Sequence, residues 1–160
     1  MTDSFAIAAI GRVHCARAEP IDDEWDAFPA TIELDASRFG PESLQGLDAF
    51  SHVEILYVFD QVDDTEINTA ARHPRGRADW PKVGIFAQRG KGRPNRIGAT
   101  VCRVLSIEGT RVSVLGLDAI NGTPVIDIKP VMSGFQPRGE FKEPEWAREI
   151  MSGYWALQDR

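Results

Sequence analysis

The chain of 160 residues has only two cysteines, Cys15 and Cys102, and only three histidines. Two cysteines exclude a disulfide framework, and no Cys/His spacing resembles a zinc site, so no metal is expected. No stretch approaches the roughly 18 apolar residues needed to cross a bilayer, so no membrane span is expected. The first ten residues contain Asp3 but no Lys or Arg, and so lack the basic region of a secretion signal. A cytoplasmic protein is the expectation. Helical periodicity is also scarce, and there is no internal repeat, low-complexity tract or linker. One domain is expected over residues 1–160. No Ser-His-Asp or Cys-His arrangement can be argued from spacing, which speaks against a hydrolase.

What the chain does have is a charge polarity. Its net charge of −6 divides into −12 over residues 1–71, +8 over 72–103 and −2 over the remainder. Half of all Lys and Arg therefore lie in one fifth of the sequence. On composition alone such a block is equally a solvated loop or an anion site for phosphate, carboxylate or RNA backbone. The acidic first half argues against a protein that coats nucleic acid indiscriminately.

The apolar runs are short, β-branched and separated by Gly, Pro or Asp, the pattern of an all-β chain. We expect strands at Phe5–His14 (mostly buried, bent at Gly11), Thr31–Leu34, His52–Phe59, Val83–Ala87, Thr100–Ile107, Arg111–Leu117 and Pro124–Ile128. Glu108-Gly109-Thr110 reads as a tight hairpin connection. The sum is an all-β barrel or sandwich with a few short peripheral helices. One of these lies around Pro41–Leu47. A C-terminal helix follows Glu143-Pro144-Glu145, with Trp146, Ile150, Met151, Tyr154 and Trp155 as its packing face.

Two segments carry the chemistry. In Gly84–Gly98 (GIFAQRGKGRPNRIG), a glycine-rich loop holds Arg89, Lys91, Arg93 and Arg96. Glycines let the backbone approach a ligand, and guanidinium groups bind carboxylate or phosphate through paired hydrogen bonds. Asn95 adds a donor and an acceptor of the kind used on adenine edges. The spacing makes neither a Walker loop nor a Rossmann fingerprint. In Leu115–Pro130 (LGLDAINGTPVIDIKP), turn plus strand explains every residue, while Asp118 could instead bind a ligand ribose or amine.

Together the two segments resemble the TsaA-like (VirR-like) family. Its members carry G-I/V-F-A-x-R-x-x-x-R-P-N-x-I-G followed by D-x-x-x-G-T-P-V-x-D-I-K-P. Here the matches are Gly84-Ile85-Phe86-Ala87, Arg89, Arg93-Pro94-Asn95, Ile97-Gly98, Asp118, Gly122-Thr123-Pro124-Val125 and Asp127-Ile128-Lys129-Pro130. Of barrel and sandwich, the resemblance implies the first, a small closed or partly open β-barrel that binds S-adenosylmethionine as a homodimer, with the ligand near the subunit interface. It also implies methyl transfer to the exocyclic amine of a modified adenosine in tRNA. The alternative is a barrel that binds S-adenosylmethionine or RNA without catalysis.

Carried over by motif, Arg89, Ala119, Ile120, Asn121 and Gly122 are the cofactor contacts, with Asp60 and Gln61 at a position that often reads His-Gln. Arg93 and Asn95 in the Arg-Pro-Asn string, together with Arg75, are assigned to the substrate. Asp60 is also the candidate catalytic proton acceptor, since an adenine amine is a weak nucleophile. Trp25 is either a cofactor-stacking residue or a core anchor. Three departures mark a subgroup. Asp60 replaces the usual His, Arg96 replaces Pro, and Gly90-Lys91-Gly92 replaces a Ser-Pro-aromatic stretch. Ending at Arg160, the sequence is expected to be a short branch without the C-terminal domain of longer members.

Overall fold

A computed structural model describes residues 3–155. Six strands close into an antiparallel barrel: β1 (Gly11–Cys15), β2 (Ala30–Leu34), β3 (His52–Val58), β6 (Ile97–Glu108), β7 (Arg111–Leu115) and β8 (Pro124–Pro130). Around the barrel the order is β1-β2-β7-β6-β3-β8, and β8 returns to β1 through Gly11 opposite Val125. β4 (Ala71–Arg72) and β5 (Val83–Gly84) form a separate two-stranded sheet within the long β3–β6 connection. The fold is thus mostly sheet, as expected.

Alternation along the strands explains the core. Successive side chains point to opposite faces, so one face of each strand fills the barrel. Val13, Ile32, Val53, Ile55, Val112, Val114 and Val125 are fully buried there. β-branched residues suit such a half-buried pleated wall. β6 is twelve residues long and its pairing with β7 shifts between Val104 and Ser106. An irregularity of this kind lets a long strand bend around a barrel. Gly98 is required by packing. A methyl group at this position would stand 2.4 Å from the Tyr57 ring, which lies across the backbone inside the barrel.

Several local expectations shift. Residues 5–10 are not strand, and Phe5 and Ile7 are exposed, so the first strand begins only at Gly11. Apolar composition misled there because, apart from Ile10, whose amide donates to the Val125 carbonyl, these residues make no strand pairing. Val83–Ala87 divides into the two-residue β5 and a 3₁₀ turn at Ile85–Ala87. Pro41–Leu47 becomes two 3₁₀ turns, Pro41–Leu44 and Leu47–Ala49. β6 starts earlier and β7 ends sooner than patterning suggests, while the Gly109 hairpin connection is present. The C-terminal helix α1 spans Glu145–Met151, with Pro144 as its N-cap rather than its first residue.

Candidate functional site

The strand pairings place three connections at one end of the barrel. Cys15 pairs with Ala30, so residues 16–29 leave and return at that end. Val58 pairs with Ile97, which puts both ends of the 59–96 connection there. The 116–123 connection joins them, because Tyr57 and Arg12 meet the start of β8 at Val125 and Pro124. Trp25, Asp60, Gln61, Arg75, Arg89, Arg93, Asn95 and the turn Ala119–Gly122 therefore all belong to connections opening on the same barrel end. Sequence proximity brings none of these three groups together; closure of the sheet does.

At this end a carboxylate gathers three hydroxyls. The Tyr57 hydroxyl donates to Asp118 Oδ1 at 2.8 Å and lies 3.3 Å from Thr100 Oγ1. The Thr100 hydroxyl donates to the same oxygen, and the Tyr154 hydroxyl donates to Oδ2. Burial, reinforced by the Asp118 charge, pushes both phenols well above their ordinary range, so they remain neutral donors. The same causes raise the Cys102 thiol, which is buried as a small apolar residue. Asp118 thus organises the barrel mouth through protein hydroxyls.

Tyr154 arrives from the C-terminus. The backbone amides of Glu24, Trp25 and Asp26 donate to the carbonyls of Gly153, Tyr154 and Trp155, which ties the terminal segment to the 16–29 connection. Trp80 Nε1 donates to Glu149 at 2.6 Å, holding α1 against the 73–82 loop. Sequence reading placed Tyr154 on a packing face and Tyr57 in a strand. The pairing of their hydroxyls on one carboxylate had no sequence signal, because the three residues are far apart in the chain.

The turn Ala119–Gly122 is pinned from below. Asn121 N donates to the Arg17 carbonyl at 2.8 Å, Gly122 N to the Val13 carbonyl at 2.7 Å, and Arg12 Nη1 to the Gly122 carbonyl at 2.9 Å. The Asn121 side chain accepts from Cys15 N at 3.2 Å and so braces the turn. Gly122 has φ of 86°, a left-handed conformation that costs other residues energy. Ala119 and Ile120 are buried, and their amides donate to no acceptor among the described residues.

The remaining candidates separate into engaged and open groups. Trp25 is 5% exposed, and the Arg17 guanidinium covers one ring face at 3.8 Å, which makes Trp25 an anchor of its loop. Its indole N–H is buried without a partner among the described residues. Arg75 makes a two-pronged pair with Asp23 at 2.7 and 3.0 Å and also approaches Asp22. Both Asp23 and Arg75 have positive φ, so this clamp joins two strained backbone positions. Arg93 Nη1 donates to the Gln88 carbonyl at 2.8 Å, and Arg89 Nη2 donates to that of Ala99. Asn95 and Arg96 are successive left-handed residues, with Arg96 held by the Val62 carbonyl and Asp64. Asp60 and Gln61 are exposed at the end of β3, and Asp60 pairs with no cation among the described residues.

The three histidines have structural partners: His14 faces Glu33, His52 bonds Ser51, and His73 bonds the Trp80 carbonyl. Two shallow surface grooves lie elsewhere. One runs along the outer wall near His14, Glu33 and Arg111, and the other near Phe50 and Leu105.

Comparison with known proteins agrees with the fold. The family model for the tRNA-methyltransferase O N-terminal domain matches residues 17–136. The tRNA (adenine(37)-N6)-methyltransferase of Rattus norvegicus is 42% identical over 108 residues, covering 66% of this chain and 25% of that protein. The Escherichia coli protein of the same name is 38% identical over 97 residues, covering 57% of this chain and 40% of its own. This chain therefore spans well under half the length of these curated relatives. Two crystal structures of TrmO from Pseudomonas aeruginosa superpose with TM-scores of 0.72 and 0.69 at 27% and 28% identity. They cover 91% and 88% of this chain and 63% and 62% of theirs. With three quarters of its length matched and the same barrel, the chain belongs to the tRNA-methyltransferase O N-terminal domain family.

Proposed function

We propose that this barrel is an S-adenosylmethionine-dependent methyltransferase acting on the exocyclic amine of an adenosine in tRNA. The observation that carries the reading is the convergence, at one barrel end, of the Arg89 loop, the Asp60-Gln61 strand end and the Ala119–Gly122 turn. Membership in the family and the activity named for its longer relatives support it.

The residues present fit the cofactor. Ala119 and Ile120, buried residues whose amides meet no acceptor among the described residues, sit in an apolar turn suited to the hydrogen-bonding edge of an adenine. Arg89 spends one N–H on the Ala99 carbonyl and keeps the rest of its fork for a carboxylate. When bound, S-adenosylmethionine supplies an electrophilic methyl group on a positively charged sulfur.

This chain's contribution is alignment and proton handling. The turn, pinned to β1 and Arg12, positions one side of the site, and the Asp118 hydroxyl cluster fixes where that turn begins. Asp60, exposed and free of an ion pair with any described residue, is the acceptor for the amine proton. Gln61 lies beside it. Arg93 and Asn95 face the nucleic acid from a loop whose strained backbone is held by Gln88, Val62 and Asp64. Arg75 reaches substrate only if its pair with Asp23 opens; closed, it braces the site. Trp25 contributes through its loop and through an indole N–H unpaired among the described residues.

A homodimer fits this reading, because Ile97, Val101 and Leu105 leave an apolar stripe on the outer face of β6. Sedimentation velocity tests it. Residence in the cytoplasm follows from a tRNA acceptor, and no helix among the described residues is long and apolar enough to cross a membrane. Residues 1–160 are read as one domain, since the terminal segment returns to the barrel mouth.

The test is calorimetric titration of S-adenosylmethionine followed by incubation with tRNA. We expect saturable binding that Arg89→Ala weakens sharply, and formation of S-adenosylhomocysteine that requires tRNA. Binding without turnover would support the non-catalytic barrel, which the Asp in place of the family's usual His at position 60 favours. No binding of S-adenosylmethionine would refute the methyltransferase and leave only an RNA-binding barrel, which absence of tRNA binding would refute in turn.

A further inference from the structure

Arg72 was not among the residues singled out by sequence, yet its surroundings are those of a ligand-binding cation. Its backbone is fixed: the buried Gln88 side chain donates to the carbonyls of Arg72, at 3.1 Å, and Val83, at 2.9 Å, locking the β4–β5 pair. Its guanidinium lies directly beneath the Gly90–Lys91–Gly92 loop. A methyl group added at Gly90 would stand 2.7 Å from Arg72 Nη2, and one at Gly92 would stand 3.8 Å from Nη1. Glycine at position 90 therefore makes room for this side chain, whereas at Gly92 an added methyl would strike the Glu66 carbonyl oxygen, at 2.6 Å.

The guanidinium has no protein counterion among the described residues. It makes no ion pair within them, and its Nε is buried without a hydrogen-bond partner. The acids on the adjoining 63–66 turn are committed. Asp63 accepts from Thr65, Asp64 pairs with Arg96, and Glu66 accepts from the Asp63 amide. The loop above supplies further donors, because the amides of Arg89, Gly90, Lys91 and Gly92 reach no acceptor among the described residues. A half-buried guanidinium whose Nε is buried and unpartnered among the described residues is costly unless an anion completes it.

We propose that Arg72 and the Gly90–Gly92 loop form an oxyanion site that takes a backbone phosphate of the nucleic-acid acceptor. The identity of that acceptor rests on the tRNA reading above; the oxyanion chemistry does not. A fork beneath backbone amides matches a tetrahedral phosphate. The surrounding +8 segment favours a polyanion over a single carboxylate.

Binding of labelled tRNA to the full chain across a salt series tests this. Arg72→Gln is expected to weaken binding about tenfold or more at low salt and to lower the log–log salt slope by about one. Gly90→Ala, which displaces the guanidinium but keeps its charge, is expected to weaken binding in the same direction. Melting curves establish that both variants fold. Calorimetry is expected to show unchanged S-adenosylmethionine affinity in both.

Unchanged tRNA affinity and slope in the two folded variants would overturn the proposal. Loss of cofactor affinity with tRNA binding intact would overturn it too, by assigning Arg72 to the cofactor carboxylate. Should the wild-type chain not bind tRNA, pyrophosphate decides. Thermal stabilisation by pyrophosphate that Arg72→Gln abolishes would keep the oxyanion site and refute only the acceptor, whereas no stabilisation would refute the site.

Discussion

Both tyrosines of the chain, the buried Tyr57 and the half-buried Tyr154, donate to the same carboxylate, so alkaline unfolding should report directly on the barrel mouth. An unfolded tyrosine ionises near about 10. In the folded chain both phenols are held above that value by burial and by Asp118. Above pH ~10 the unfolded state therefore binds fewer protons than the native state. Stability falls with rising pH by about 1.4 kcal/mol per unit for each tyrosine, or about 2.7 for the pair. The contribution is complete below the unfolded pKa and is lost as pH climbs from there toward the folded values. Against a domain stability of about 5–15 kcal/mol, one pH unit removes between roughly a fifth and a half of the total.

The assay is chemical denaturation at a series of pH values from neutral upward, with phenolate absorbance followed in parallel. Phenolate should appear together with unfolding rather than before it. Tyr57→Phe separates the terms because its two effects have opposite signs. Removing a buried hydrogen bond to a charged group costs about 1.5–3 kcal/mol at neutral pH. For a chain of this size that is roughly 3–10 °C in Tm, while the tyrosine part of the alkaline slope halves to about 1.4 kcal/mol per unit. Either tyrosine ionising in the folded protein with a midpoint near ~10 would refute the reasoning, as would an unchanged slope in the variant.

Three further outcomes are expected. Gly98→Ala forces a methyl group to within 2.4 Å of the Tyr57 ring, so it should destabilise the barrel by at least about 1–3 kcal/mol, measured by urea denaturation. Gly122→Ala meets no steric neighbour but must hold a φ of 86°, so it should cost about 1 kcal/mol and raise the cofactor dissociation constant by moving the turn; an unchanged constant would remove the turn from the site. Asp60→Asn should slow single-turnover methyl transfer while leaving S-adenosylmethionine affinity near wild type, and full activity would dismiss Asp60 as the proton acceptor.

The amino-acid sequence by itself determined the strand content, because alternating β-branched runs between turn residues can bury only one face of a pleated wall. It determined the basic loop and the Asn121-Gly122 turn, since these are local in chemistry and in backbone. It failed over residues 5–10 and 85–87, where apolar composition supplied propensity and only pairing partners decide whether a strand forms. It also gave no hint that Asp118 would collect hydroxyls from Tyr57 on β3, Thr100 on β6 and Tyr154 beyond α1. Arg72 was one cation among nine in its segment until its position against Gly90 distinguished it. Those facts required barrel closure. Register fixes which side chains meet across the mouth, and the burial that follows determines which polar groups have partners and which are left to meet a ligand.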